Sequence, residues 1–161
     1  MAINVIKPGL STTVQDLGRP GYYHIGIPTS GGMDTLSLAA ANLLVGNDFS
    51  YAPAHGIEMT FSEGNVFAKN RLVENAICGV WGGYSSDTLI AQNEFTGNGG
   101  LAYGLERGAI NMEHGSNNRI VRNTFLNNKA AIHLWWDNDG GLFKLPGVAG
   151  NLRGISGNVI A

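Results

Sequence analysis

Residues 66–75 read VFAKNRLVEN, residues 89–98 read LIAQNEFTGN and residues 119–128 read RIVRNTFLNN. In this frame Asn70, Asn93 and Asn123 sit three residues after Phe67, Ile90 and Ile120, and two before Leu72, Phe95 and Phe125. Asn75, Asn98 and Asn128 close the three blocks. Asn158, flanked by Ile155 and Ile160, extends the frame to a fourth. A second strand is expected to begin at Ile57, Val80, Ile110 and Ile132, in steps of 23, 30 and 22 residues.

A repeat of roughly 22 residues with short apolar strands and asparagine-rich corners predicts an all-β fold, a short right-handed parallel β-helix of about four coils. Tight corners need left-handed backbone, which Gly and Asn tolerate best. Stacked asparagines can also hydrogen-bond from coil to coil, as amide ladders do in cross-β stacks. An α-helical solenoid is excluded, because no segment after residue 50 keeps a 3.6-residue period free of Gly and Asn. The longer steps predict two insertions, near 99–108 and 137–150. Of 17 asparagines, 14 follow residue 48, which marks 49–161 as the repeat domain.

Residues 1–48 are written differently. Pro8-Gly9 and the run from Gly18 to Gly21 are turn signals between short strands. Residues 35–45 are rich in Leu and Ala, with Asp34 as N-cap and Gly46 as stop, and predict a helix. The stretch KPGLSTTVQDLGRPGYYHIGIPTSGGMDTLSLAAANLLVGND, residues 7–48, resembles the opening segment of the biotin-dependent carboxyltransferase family, which includes allophanate hydrolase subunit 2 and the C component of 5-oxoprolinase. Pro8-Gly9, Thr12 to Asp16, Gly18 to Tyr22, Gly31, Met33-Asp34 and Asn42 to Asn47 carry the resemblance. It covers under a third of the chain and implies shared ancestry of a fragment rather than activity. By that resemblance a biotin or carboxylate contact would fall at Arg19, but without the rest of that barrel no pocket closes around it, and a turn salt bridge or no role is expected there. Residues 51–161 resemble right-handed β-helix proteins of the NosD-like, carbohydrate-binding and sugar-hydrolase repeat class. The helix 35–45 is expected to cap the first coil, and an uncovered last coil to favour end-to-end self-association.

A net charge of −2 gives no electrostatic footprint for nucleic acid or an anionic membrane. No run of about 18 apolar residues predicts a membrane span. The start carries no basic n-region before an apolar stretch, so no export signal is read; the chain as given reads as cytoplasmic, the β-helix class is often exported, and the compartment stays open. The lone Cys78 excludes a disulfide framework. No G-x-S-x-G elbow and no phosphate loop is present. Asp137-Asn138-Asp139-Gly140 looks like a calcium loop but lacks the downstream glutamate, and is read as a solvated turn. No metal and no cofactor is expected.

Strand alternation sends Glu58, Trp81, Asn111 and His133 outward as one column, with Thr60, Gly83, Glu113 and Trp135 beside it. Aromatic platforms next to hydrogen-bonding groups suit a sugar, whose faces are apolar and whose edges are polar. A saccharide-binding face is therefore expected from Glu58, Trp81, Asn111, Glu113, His133 and Trp135. Tyr103, Glu106 and Arg107 of the first insertion and Asp137 and Asp139 of the second are expected to flank it. The expected function is polysaccharide binding without catalysis. Alternatives left open are a lyase or glycoside hydrolase remnant, a fragment of a carboxyltransferase or 5-oxoprolinase subunit, and a functionless product of gene joining.

Overall fold

The computed structural model describes residues 13–14, 43–138, 141, 144 and 154–161. Every strand pairing within them is parallel. The first sheet contains β2 (Leu43–Val45), β4 (Val66–Ala68), β7 (Leu89–Ala91), β10 (Arg119–Val121) and β13 (Val159–Ile160). The second contains β5 (Arg71–Val73), β8 (Glu94–Thr96) and β11 (Thr124–Leu126). The third contains β1 (Thr13–Val14), β3 (His55–Thr60), β6 (Cys78–Gly83), β9 (Gly108–Glu113) and β12 (Ile132–Trp135). The chain visits the three sheets in turn, which makes it a parallel β-helix. No helix among the described residues is long and apolar enough to cross a membrane.

The register of the third sheet matches the spacing argument, with Ile57 opposite Val80, Val80 opposite Ile110, and Ile110 opposite Ile132. Inward side chains stack coil upon coil. Leu44, Phe67, Ile90 and Ile120 form one apolar column, and Leu72 and Phe95 another. Phe95 stacks on Phe125 with ring centroids 5.2 Å apart. Burying such side chains contributes roughly 1.5–3 kcal/mol each.

Asparagine ladders pin the corners. Asn93 accepts the Asn70 backbone N–H at 2.9 Å and its amide at 3.0 Å, and donates to the Phe67 carbonyl at 2.9 Å. Asn123 does the same for Asn93, reaching back to Ile90. The neighbouring corner repeats the device with Asn75, Asn98 and Asn128. The ladder asparagines do not adopt the left-handed backbone themselves. The residues just before them do: Lys69, Gln92 and Arg122 on one corner, Glu74, Gly97 and Asn127 on the other. The amides are chosen for their hydrogen bonds, and ordinary side chains carry a backbone strain of about 1–2 kcal/mol each.

Three expectations are corrected. Asn158 does not continue the Asn123 column. Val159 pairs with Arg119 and Ile160 with Ile120, so Asn158 belongs to a third ladder, where it accepts the Asn118 N–H at 2.9 Å. Second, Leu43–Val45, expected as the end of a helix, is a strand paired with Val66–Ala68; residues 35–42 lie outside those described. Third, the coil opens before the 48/49 boundary. Asn47 joins the first ladder by donating its N–H to Asn70, and Arg71 pairs with Asp48 at 3.0 Å. Burial opposes it, but hydrogen bonds from Ser50 and Arg71 hold the Asp48 carboxyl below its ordinary value.

Candidate functional site

The outer face of the third sheet carries the predicted columns in register. Glu58 pairs with Trp81, Trp81 with Asn111, and Asn111 with His133; Gly83 pairs with Glu113 and Glu113 with Trp135. Glu58, Trp81, Glu113, His133 and Trp135 are each half-buried. The Trp81 benzo ring lies over Gly83, where an added Cβ would stand 2.7 Å from it. Gly83 thus lets the indole lie flat along the sheet.

Asn111 departs from expectation. It is fully buried, so it cannot act as an exposed contact group. Its amide donates to the Leu105 carbonyl at 2.7 Å, and its oxygen accepts the Trp135 indole N–H at 3.0 Å. It also meets His133 Nδ1 at 3.0 Å. The first insertion folds back over the sheet here, and Asn111 fastens loop, His133 and Trp135 together. Strand alternation cannot reveal that a loop covers a column. Within this loop Tyr103 is exposed, while Glu106 and Arg107 are half-buried.

His55 belongs to the same patch, its ring centroid 5.9 Å from Trp81. Spacing alone gives it no role, because it precedes the alternating stretch. Burial lowers its pKa, against the pull of Glu58 and Glu106. Cys78, opposite His55 in the sheet, is pushed up to about 12 by burial and by Glu106. It is therefore a neutral thiol and no nucleophile near pH 7.

At the far edge, Glu113, His114 and Asp137 bring ligand atoms within 4.8 Å of one another. His114 Nδ1 receives the Gly154 N–H at 3.1 Å. Nε2 faces the Asp137 carboxylate at 3.6 Å and the Asp137 N–H at 3.4 Å. Through these contacts His114 ties Asp137, at the start of the second insertion, to Gly154 beyond it. Asp139 lies outside the described residues.

Glu113 is held above its ordinary value by burial, then by Asp137 and Glu106. A raised folded value means that the native state binds the proton more tightly than the unfolded chain. Its stabilising effect is complete below about pH 4.5 and lost as pH rises through the folded value. Glu113→Gln is therefore expected to raise stability at pH 7 by about 0.5 kcal/mol, and to lose that advantage at pH 4. Thermal melts at the two pH values check this, and an equal shift at both would refute the crowding argument. The lowered value of His55 acts in the opposite sense, removing stability as pH falls below about 6.5.

The model of the family "Right handed beta helix region" matches residues 18–143. The chain belongs to that family. Among curated proteins it is similar to urea amidolyase of Lachancea kluyveri, 39% identical over 94 residues, or 58% of this chain and 5% of the relative. It is 47% identical over 60 residues to urea amidolyase of Saccharomyces cerevisiae, covering 37% of this chain and 3% of the relative. It is 44% identical over 61 residues to the C component of 5-oxoprolinase of Escherichia coli, covering 38% and 19% respectively. The chain thus spans less than a fifth of the length of these relatives. No solved structure matches it.

Proposed function

We propose that this chain joins a segment akin to urea amidolyase and the 5-oxoprolinase C component to a right-handed β-helix whose third-sheet face binds a saccharide without catalysis. The observation supporting the binding reading is the pair of tryptophans on one face, Trp81 lying along the sheet over Gly83 and Trp135 held through its indole N–H by Asn111. Two pre-positioned aromatic planes with Glu58, Glu113 and His133 between and beside them match the apolar faces and polar edges of a sugar. Trp81→Ala and Trp135→Ala are each expected to weaken binding of an array-identified glycan about tenfold, roughly 1.4 kcal/mol. Unchanged affinity in both variants removes this reading.

A second reading rests on the sequence similarity. Identity of 39–47% over 60–94 residues supports common descent with urea- and 5-oxoproline-processing proteins. The small share of those proteins that is covered argues for a retained fragment. Turnover of urea or 5-oxoproline by the purified chain would favour the enzymatic alternative.

A further inference from the structure

Three polar side-chain atoms on the third-sheet face and in the 99–107 loop are buried and have no hydrogen-bond partner: His55 Nδ1, Trp81 Nε1 and Arg107 Nε. Two of the three can only donate, since an indole and a guanidinium carry N–H groups and no acceptor. Among the described residues Arg107 forms no ion pair, although its side chain is half-buried. Leaving a buried donor unmatched costs about 1–3 kcal/mol, and more for a charged group. Three such atoms in one patch call for an acceptor.

The fold brings them together. His55 pairs with Cys78, and Cys78 with Gly108, which directly follows Arg107. Trp81 pairs with Asn111, whose amide also approaches the Arg107 carbonyl at 3.4 Å. Glu58 and Glu106 lie close enough to act on His55, yet neither is within ion-pair distance of Arg107. The group that satisfies this set is an acceptor that Arg107 can pair with and Trp81 can donate to.

We propose that this patch is a subsite for one carboxylate group of a bound ligand. On the saccharide reading, on which the ligand's remainder rests, that ligand is a sugar acid. One carboxylate oxygen accepts Arg107 Nε–H, a charge-assisted hydrogen bond, and the other accepts the Trp81 indole N–H. His55, kept neutral by burial, supplies a further donor to the same group when Nδ1 carries its proton. His55, Trp81 and Arg107 are each half-buried as residues, but the three atoms themselves are covered, so binding requires these side chains to turn toward the ligand.

The test follows the Trp81 indole N–H by NMR while the whole chain is titrated with four probes. These are a uronic-acid trisaccharide, its methyl ester, a neutral trisaccharide and 5-oxoproline. The expected result is a shift of the indole signal with the uronic acid, at least tenfold weaker binding of the ester, and at least tenfold loss in Arg107→Gln. Arg107→Gln keeps the backbone carbonyl that faces Asn111, and a melting curve confirms its fold. The ester keeps the test valid should that variant fail to fold. A response to 5-oxoproline with none to the sugars supports the carboxylate subsite and overturns the saccharide reading. Equal binding of acid, ester and neutral sugar overturns the subsite and leaves the saccharide reading standing. An unmoved indole signal with every probe overturns the subsite.

Discussion

Asn93→Ala is expected to destabilise the chain by about 3–5 kcal/mol, a large part of the 5–15 kcal/mol that holds a typical domain folded. Four hydrogen bonds leave with the side chain: those from the Asn70 N–H and amide, and those to the Phe67 carbonyl and the Asn123 oxygen. Asn93 is only 2% exposed, so water cannot replace them. Asn138→Ala is the control. Asn138 is exposed and holds no ladder position, so its loss should fall within about 0.5 kcal/mol. Urea unfolding of both variants decides the matter. An Asn93→Ala loss below about 1 kcal/mol would mean that the ladder is a consequence of the coil and not one of its supports.

What can be read from the chain is what leaves a local trace. The third-sheet register is legible because Ile57, Val80, Ile110 and Ile132 recur in steps of 23, 30 and 22 residues, each after a small residue, although three of the strands start two residues earlier, at His55, Cys78 and Gly108. The first two asparagine ladders are legible for the same reason. Asn158 falls into the wrong column because a 40-residue step separates it from its true neighbour, Asn118. Over that span a frame set by one asparagine and one isoleucine fits either corner. Asn47 and Leu44 escape the repeat because residues 43–48 also fit the carboxyltransferase-like segment, and a helical composition outweighs a single apolar strand position. Propensity is a weak prior when three residues can pair with a ready strand edge. On the site, alternation places Glu58, Trp81, Glu113, His133 and Trp135 on one face, but it carries no information about the loop that buries Asn111. The unpartnered Arg107 is legible only as a charged residue in an insertion, because the lack of a partner is a property of three dimensions.

The loop that makes the site depends on one glycine. Gly108 opens β9 with φ of +93°, a region that side-chain-bearing residues rarely adopt. An added Cβ would press on the Ala130 carbonyl, 3.0 Å from its carbon, and stand 2.9 Å from Ala130 Cβ. The backbone of the next coil is in the way, and it cannot rotate aside as a side chain would. Making room requires β9 to lift from its neighbour, which strains the bonds from Ala109 N–H to the Ala130 carbonyl and from Ile110 N–H to the Ala131 carbonyl. Gly108→Ala is therefore expected to cost about 3–5 kcal/mol, backbone strain and overpacking together. Gly104 in the same loop separates the two terms. It too has positive φ, +57°, but nothing lies within 4 Å of its Cβ position. Gly104→Ala should thus carry the conformational term alone, about 1–2 kcal/mol. Equal losses in the two variants would show that the coil yields to the extra carbon. A larger loss for Gly108→Ala, together with an altered Trp81 indole signal, would show that stacking of β9 on the next coil sets the position of the loop above Trp81.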